Sequence, residues 1–398
     1  MNPLLYIAYD GMLEPLGQSQ VLAYLEKLAT DREIHLLSFE KPEDWADEAA
    51  RATVAQRIRA AGIRWHPRRY HKRPSALATT WDIGVGIACG LWLVLRHRVR
   101  IVHARSYVPA VMALVLQKLV RIRFLFDMRG FWADERVDGG LWPRGGRMYR
   151  VAKWFERRFL RNADHVVSLT HAAVREMRGF DCLQGRQPAF TVIPTCADLE
   201  RFHPQPRPDA AAPFTLGYVG SAGTWYLFDA AVAAFNALRE VHPEARWLIV
   251  NRGGHAYIRE RLSAAAVPED AVELLEASHA QVPALMARMD AGVFFIKPVF
   301  SKQASAPTKL GEFLGCGIPC LANGGVGDMA QILREGGVGV AVDAFDGDSL
   351  RAGVQALLAL TASADIQSRC RAVAEREFSL AEGVARYRAV YRSLEAAT

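Results

Sequence analysis

Several familiar patterns are missing from this 398-residue chain. No two of its six cysteines (Cys89, Cys182, Cys196, Cys316, Cys320 and Cys370) form a C-x-x-C pair, so neither a zinc ribbon nor a disulfide framework is indicated. Thiols scattered in this way suit a reducing cytosol. No apolar run reaches the ~20 residues that a bilayer-spanning helix needs. The longest, Ile83 to Leu95, has thirteen residues and reads as a buried helix. The first ten residues lack the basic stretch of a signal peptide and read as a short buried strand, so a cytoplasmic location is expected. There is no internal repeat of solenoid length. Acidic residues are almost absent from one long stretch, since residues 51–123 hold fifteen Lys and Arg against a single carboxylate, Asp82.

The net charge of +7 is therefore uneven: residues 1–200 carry +9 and residues 201–398 carry −2. Such a basic half favours an anionic surface or substrate. No nucleic-acid recognition motif accompanies it, and nucleic acid is not an expected partner. Arg57, Arg59, Arg64, Arg68, Arg69, Lys72 and Arg73 surround Trp65 and Tyr70. Basic residues interleaved with aromatics suit an anionic membrane surface, and peripheral attachment at the inner face of the membrane is expected from them.

Chain length calls for two domains. Short apolar runs alternate with helical periodicity throughout, the pattern of parallel sheets covered on both faces. Strands are expected at 4–9, 34–39, 101–104, 124–127, 165–169 and 190–193, and then at 214–219, 247–250, 272–275, 291–296, 319–322 and 339–342. Between the two sets Pro194, Pro204, Pro206 and Pro208 mark a linker. The expected division is residues 1–203 with a returning C-terminal helix at 380–398, and residues 204–379. Ligands of such sheets bind beyond the carboxyl ends of the strands, so two of them facing across a cleft would hold the chemistry there.

Three stretches carry a family resemblance. Val192-Ile193-Pro194-Thr195-Cys196-Ala197-Asp198 with Phe202 and Pro204 resembles the I-P-N-G-V-D-x-x-x-F-x-P linker of GT4-type glycosyltransferases. Lys309-Leu310-Gly311-Glu312-Phe313-Leu314-Gly315-Cys316-Gly317-Ile318-Pro319 is similar to the family's K-x-x-E-x-L-A-x-G-x-P-V donor segment. Ala163-Asp164-His165-Val166-Val167 resembles its A-D-x-V-V strand. The resemblance implies an α/β GT-B fold of two Rossmann-like, doubly wound domains, with the acceptor on the N-terminal side and a nucleotide-sugar on the C-terminal side. It also implies transfer with retention by front-face attack, the leaving diphosphate helping to take the acceptor's proton. The acceptor would be a glycan or lipid-linked molecule in envelope polysaccharide or glycoconjugate assembly. No cofactor or metal is expected beyond the nucleotide-sugar itself.

The physics of the donor segment stands beside this. Pro307 suits the first position of a helix, with Ser305 or Ala306 as its cap, and the free amides that follow favour an anion such as a diphosphate. Lys309 adds a full charge in the first turn. Glu312 shares a face with Thr308 and suits two ribose hydroxyls. The family's upstream Glu is Ala304 here, which leaves Lys302 and Ser305 as the neighbours able to touch phosphate or sugar. The turn after the first strand of the second half, Gly220-Ser221-Ala222-Gly223-Thr224-Trp225-Tyr226, carries no base, so Arg252 is expected to help Lys309 neutralise the diphosphate. The donor contacts are thus expected at Gly220, Ser221, Trp225, Ser278, Lys302, Ser305, Pro307, Thr308 and Leu310, with Lys309, Glu312, Arg252 and Arg129 catalytic.

On the acceptor side, Gly17, Gln18 and Ser19 form a loop and helix start after the first strand. Arg129 replaces a His that the family commonly places before the following Gly, and it is expected to meet an anionic group. Arg105, Trp132, Asp134 and Glu135 complete the expected acceptor set. Asp346-Gly347-Asp348 matches a metal–diphosphate motif, yet its place before a helix suits an ordinary cap. Two alternatives stay open: a nucleotide-sugar epimerase on the same fold, and a non-catalytic GT-B subunit that binds a partner.

Overall fold

The structure, a computed structural model, describes residues 2–209 and 211–396. It divides into two compact units, Met1–Ile193 with Gly383–Thr398, and Pro194–Glu382. The chain passes between them at Ile193–Pro194, earlier than the 203/204 boundary expected from the prolines. The reason is that the linker is built into the second unit. The Ala197 amide donates to the Phe378 carbonyl at 2.8 Å, Leu199 and Phe202 are buried in that core, and the Arg371 guanidinium donates to the carbonyls of Leu199, Phe202 and Gly315.

In the first unit β1 (Leu4–Ala8), β2 (Ile34–Glu40), β3 (Arg64–Arg69), β4 (Ile101–Arg105), β5 (Arg123–Met128), β6 (His165–Ser168) and β7 (Ala189–Val192) form a parallel sheet in the order β3-β2-β1-β4-β5-β6-β7. Every residue of β1, β2 and β4 is buried, which is why they read as mostly apolar runs, broken only by His35, Ser38, Glu40, His103 and Arg105. The strand absent from the expectation is β3, Arg-Trp-His-Pro-Arg-Arg, paired with β2 from His35–Arg64 to Glu40–Arg69. A sheet edge tolerates its Pro67 and its charges, and Trp65 donates to the Ser38 hydroxyl at 2.8 Å. The basic segment expected to meet a membrane is thus partly committed inside the fold. Arg57 pairs with Glu26 and Arg64 with Glu33, both at 3.1 Å.

The thirteen-residue apolar run belongs to a longer helix than expected, α1 (Ser75–His97), and that helix is not buried all round. Only a third of its apolar window is covered by the protein. Next come α2 (Tyr107–Leu119), which packs against α1, and α3 (Arg147–Asn162), which packs against α2. The helix expected to begin at Ser19 begins at Pro15 and contains a π segment, Gln18–Leu22.

The second unit joins β8 (Thr215–Val219), β9 (Arg246–Val250), β10 (Val272–Leu275), β11 (Ala291–Val293), β12 (Cys320–Asn323) and β13 (Gly339–Val342) in the parallel order β10-β9-β8-β11-β12-β13. Strand order reverses at β8, whose neighbours are β9 and β11, and such a switch point opens a crevice at the strand ends. A 3-10 turn, Phe300–Ala304, and then α4 (Thr308–Gly315) follow β11. Asp346 caps the helix Gly347–Thr361 by accepting from the Ser349 amide, the structural role given to that D-x-D match. Of α5 (Leu380–Ala396), the residues from Gly383 onward belong to the first unit, where Tyr387 and Tyr391 are buried.

Candidate functional site

At the switch point of the second unit, Gly220 directly follows β8 with φ +105°, a conformation that favours glycine. A side chain there would also meet the Lys309 Nζ at 3.1 Å. Asn251, at the end of β9, donates to the Gly220 carbonyl at 2.8 Å and accepts from the Gly254 amide, so it pins the turn from the neighbouring strand. Asn323 does the same between β11 and β12 by exchanging hydrogen bonds with Ile296. Sequence reasoning missed both asparagines. Their signal was an amide side chain directly after a strand.

Lys309 is the electrostatic centre of this crevice. Its ammonium is buried and, among the described residues, has no hydrogen-bond partner. Three rings surround it instead: Tyr226 at 3.8 Å, Tyr218 at 5.3 Å and Phe294 at 5.4 Å. Ring faces attract a cation but do not replace the hydrogen bonds lost from water. Burial accordingly lowers the Lys309 pKa to about 7, with Glu312 acting in the opposite direction. A second ammonium, that of the buried Lys302, lies over Trp225 at 3.8 Å. The baseless turn after β8 therefore presents consecutive aromatics, Trp225 and Tyr226, each with a lysine from the 302–309 segment against it.

Some donor-side expectations change in detail. Pro307 is the cap of α4 rather than its first residue, with extended backbone (ψ 119°), and neither Ser305 nor Ala306 caps the helix. The first helical amides are those of Thr308 and Lys309, which precede any intrahelical acceptor. The Leu310 side chain cannot touch a ligand, because it lies in the core and its amide donates to the Pro307 carbonyl. Glu312 is largely covered, and its Oε1 lies 3.3 Å from His279 Nε2. The other ring nitrogen of His279 lies 3.0 Å from an Arg201 amino group. Ser278 bonds Gln281 through both amide and hydroxyl. Arg252 stands at the end of β9 with its side chain 83% exposed, 3.7 Å from Glu276. Ser221 is exposed beside Gly220, and its carbonyl accepts from Tyr218 at 2.6 Å. Ala304 is buried in the 3-10 turn.

In the first unit most of the expected acceptor residues are engaged by other groups of the same unit. The anion that Arg129 meets is Asp127, at 3.6 Å. Asp127 also lies 3.3 Å from His103 and 3.9 Å from Arg105, and it accepts from the Tyr387 hydroxyl at 2.9 Å. Burial alone would raise the Asp127 pKa, yet Arg129, His103 and Arg105 hold it well below the usual carboxylate range. Arg105 also bonds Asp10 at 3.3 Å. Asp134, from the expected acceptor set, accepts from Tyr149 and from Lys153, both at 2.9 Å. Lys153 reaches Glu156 as well, and Glu156 accepts from Tyr107. Trp132 packs between Tyr107 and Trp142, and Glu135 is half-buried in the same short helix, Trp132–Asp138. Gly17 is fixed by packing, since a Cβ there would lie 2.0 Å from the Gly11 carbonyl. Gln18 bonds the Leu13 carbonyl and Arg57, and Ser19 bonds the Pro15 carbonyl. The loop amides of Met12 and Leu13 are taken by Glu40.

The sequence matches two family models, described as "Glycosyl transferase 4-like domain" over residues 19–211 and "Glycosyl transferases group 1" over residues 213–360. No curated protein sequence matches it significantly. Among solved structures, it is similar to a sucrose-phosphate synthase from Thermosynechococcus elongatus, with TM-score 0.73 and 15% identity over 100% of both chains. HepE from Anabaena, in complex with UDP and glucose, aligns with TM-score 0.68 and 16% identity over 99% of this chain and 100% of that one. The lipopolysaccharide outer core galactosyltransferase WaaB aligns with TM-score 0.68 and 12% identity over 98% and 99%. At these identities the likeness establishes the fold, which is GT-B.

Proposed function

Because the chain belongs to the group 1 glycosyl transferases, with a 4-like N-terminal domain, we propose that it moves a sugar from a nucleotide-sugar held at Lys309 to a glycan or lipid-linked acceptor, with retention. The observation that carries this reading is the buried Lys309 ammonium, without a hydrogen-bond partner among the described residues, beside Gly220 and the opening amides of α4. A cation kept out of water without a partner costs several kcal/mol unless something anionic completes it, roughly the range known for buried ions. A nucleotide diphosphate supplies that anion. In the free protein Lys309 is only partly charged near neutrality, and a bound diphosphate would restore its proton.

In this reading Gly220, Ser221, Ser305, Thr308 and the first α4 amides approach the phosphates, Lys302 and Lys309 supply the charge, and Glu312 grips the ribose. Negative charge grows on the leaving diphosphate during transfer. Fixed cations and amides stabilise that charge more in the transition state than in the ground state. No role is assigned to a metal or a cofactor. HepE was solved with UDP and glucose, so a uridine donor is the first to test. A lipid-linked acceptor in envelope assembly would place the enzyme at the inner face of the membrane. The Ala304 departure and the occupied Arg129 keep a non-catalytic, nucleotide-binding role as the second reading.

The test is a thermal-shift and donor-hydrolysis screen over UDP-, GDP- and ADP-sugars with the wild-type protein and Lys309→Met. Stabilisation and turnover by one nucleotide class, both lost in the variant, support transfer. Stabilisation without turnover supports the second reading. An unresponsive wild-type protein contradicts both.

A further inference from the structure

The outer face of α1 is apolar and uncovered. Along it Leu77, Trp81, Gly84, Ala88, Trp92 and Leu95 recur at three- and four-residue spacing, and all are exposed. Leu77 is 71% exposed, Trp81 64%, Trp92 56% and Leu95 62%. The stripe runs about 27 Å along the axis at the helical rise per residue. Half-buried Ile83, Val85, Ile87 and Leu91 flank it. Monomeric soluble domains seldom leave so continuous an apolar face in water.

α1 is nonetheless fixed to its domain. Gly86 and Gly90 lie on the opposite face, where a Cβ would collide with Met112 and Leu116 of α2. Asp82 is buried and accepts from Tyr9 at 2.8 Å and from the His71 amide at 3.0 Å. The helix therefore lies on the domain and does not leave it to span a bilayer. Since α2 packs against both α1 and α3, the three helices form one layer. The exposed part of α3 continues the surface with Met148, Val151 and Trp154 among Arg150, Arg157 and Arg158.

Charge decides what covers this layer. Arg96, Arg98 and Arg100 are exposed at the end of α1. The six carboxylates between residues 76 and 161 (Asp82, Asp127, Asp134, Glu135, Asp138 and Glu156) are all buried or half-buried. A second copy of the chain docked on the same face would bring arginine against arginine with no exposed carboxylate to separate them. An anionic bilayer offers the complement, because its headgroups meet arginines while tryptophan and leucine enter the acyl boundary. We infer that the α1–α3 layer is the surface by which this protein lies on anionic lipid membranes, with the α1 stripe in the headgroup region. The inference rests on the proposed lipid-linked acceptor for its purpose, though not for its geometry. It also moves the contact from the basic 57–73 segment, partly used in ion pairs, to the apolar face that follows it.

The test is co-sedimentation of the full-length protein with phosphatidylcholine vesicles, with and without phosphatidylglycerol. Wild-type protein is expected to bind the phosphatidylglycerol vesicles, to release in high salt, and to bind pure phosphatidylcholine at least ~tenfold more weakly, as two-signal surface attachment requires. Trp81→Glu with Trp92→Glu should lower binding at least ~tenfold, while the circular dichroism melt and UDP-sugar hydrolysis stay as in the wild type. Lys309→Met should bind vesicles normally, which separates this inference from the catalytic reading. Two results would overturn it: no wild-type binding to anionic vesicles, or a dimer by light scattering that the Trp81→Glu/Trp92→Glu variant dissociates.

Discussion

Two clusters of buried charge, one in each unit, answer differently to the same question. Around Asp127 the charges are matched by one another: Arg129, Arg105, His103 and Tyr387 converge on one carboxylate, whose Oδ1 faces Arg129 at ion-pair distance without a hydrogen bond among the described residues. Around Lys309 the cluster is open, with one ammonium, three rings and, among the described residues, no hydrogen-bond acceptor. A closed cluster holds the fold and gains little from a ligand. An open one is destabilising until a ligand arrives, so it marks where binding energy is available. Residue type alone would have ranked Arg129 and Lys309 together, and the presence of a partner separates them.

Substitution can sharpen that contrast. Removing the hub of the closed cluster has the largest expected effect. Asp127→Ala leaves the half-buried Arg129 guanidinium without its carboxylate and Arg105 with Asp10 alone, and should cost about 3–5 kcal/mol in chemical denaturation, the range for breaking a buried ion pair. A loss near zero would mean that the cluster is wet and does not support the fold. In the open cluster stability should move the other way. Lys309→Met removes an unsatisfied buried cation, so the ligand-free protein should gain up to ~2 kcal/mol, whereas transfer should fall at least ~100-fold, as when a fixed transition-state charge is deleted. A Lys309→Met protein that is less stable yet fully active would dissolve the distinction.

Glu312→Gln keeps the shape and removes the charge proposed to grip the ribose. Donor affinity should drop by about 1–3 kcal/mol, the worth of hydrogen bonds to a charged acceptor, with little change in the melt. The pH dependence of stability gives a further check. The Lys309 pKa is lowered in the fold, from the ordinary lysine value to about 7, so the unfolded chain binds more protons between those values. Stability should therefore rise with pH from about 7 toward the ordinary lysine pKa, and Lys309→Met should flatten that part of the profile. Arg252→Ala has the smallest expected effect, because an exposed ion pair with Glu276 contributes less than ~1 kcal/mol. A large loss of transfer in that variant would instead assign the diphosphate to Arg252.

Much of this was legible in the sequence, for reasons that can be named. Parallel strands buried on both faces leave mostly apolar runs, so twelve of the thirteen strands among the described residues could be read directly, and Val272–Leu275 and Gly339–Val342 even at their observed ends. The missing one, β3, sits at an edge where Arg and Pro are tolerated and periodicity fails. The length of α1 was missed because its first turns, from Ser75 to Asp82, mix small, polar and apolar residues, and the apolar run alone hid which face was covered. In the crevice of the second unit, Lys309, Glu312, Gly220 and Trp225 could be named from chain order. That order could not show that Lys302 and Lys309 lie over Trp225 and Tyr226, because those pairs form only when the turn after β8 meets the segment after β11. For Arg129 a signal was present and went unread. Asp127 stands two residues before it, at the spacing that puts strand side chains on one side.

Calorimetric titration of UDP into wild-type and Lys309→Met protein near pH 8, in two buffers of different ionisation enthalpy, tests the open cluster most directly. The account predicts that wild-type binding takes up a fraction of a proton and that the variant binds at least ~tenfold more weakly with no uptake. Equal affinity in the two proteins, with heats independent of buffer in both, would contradict it.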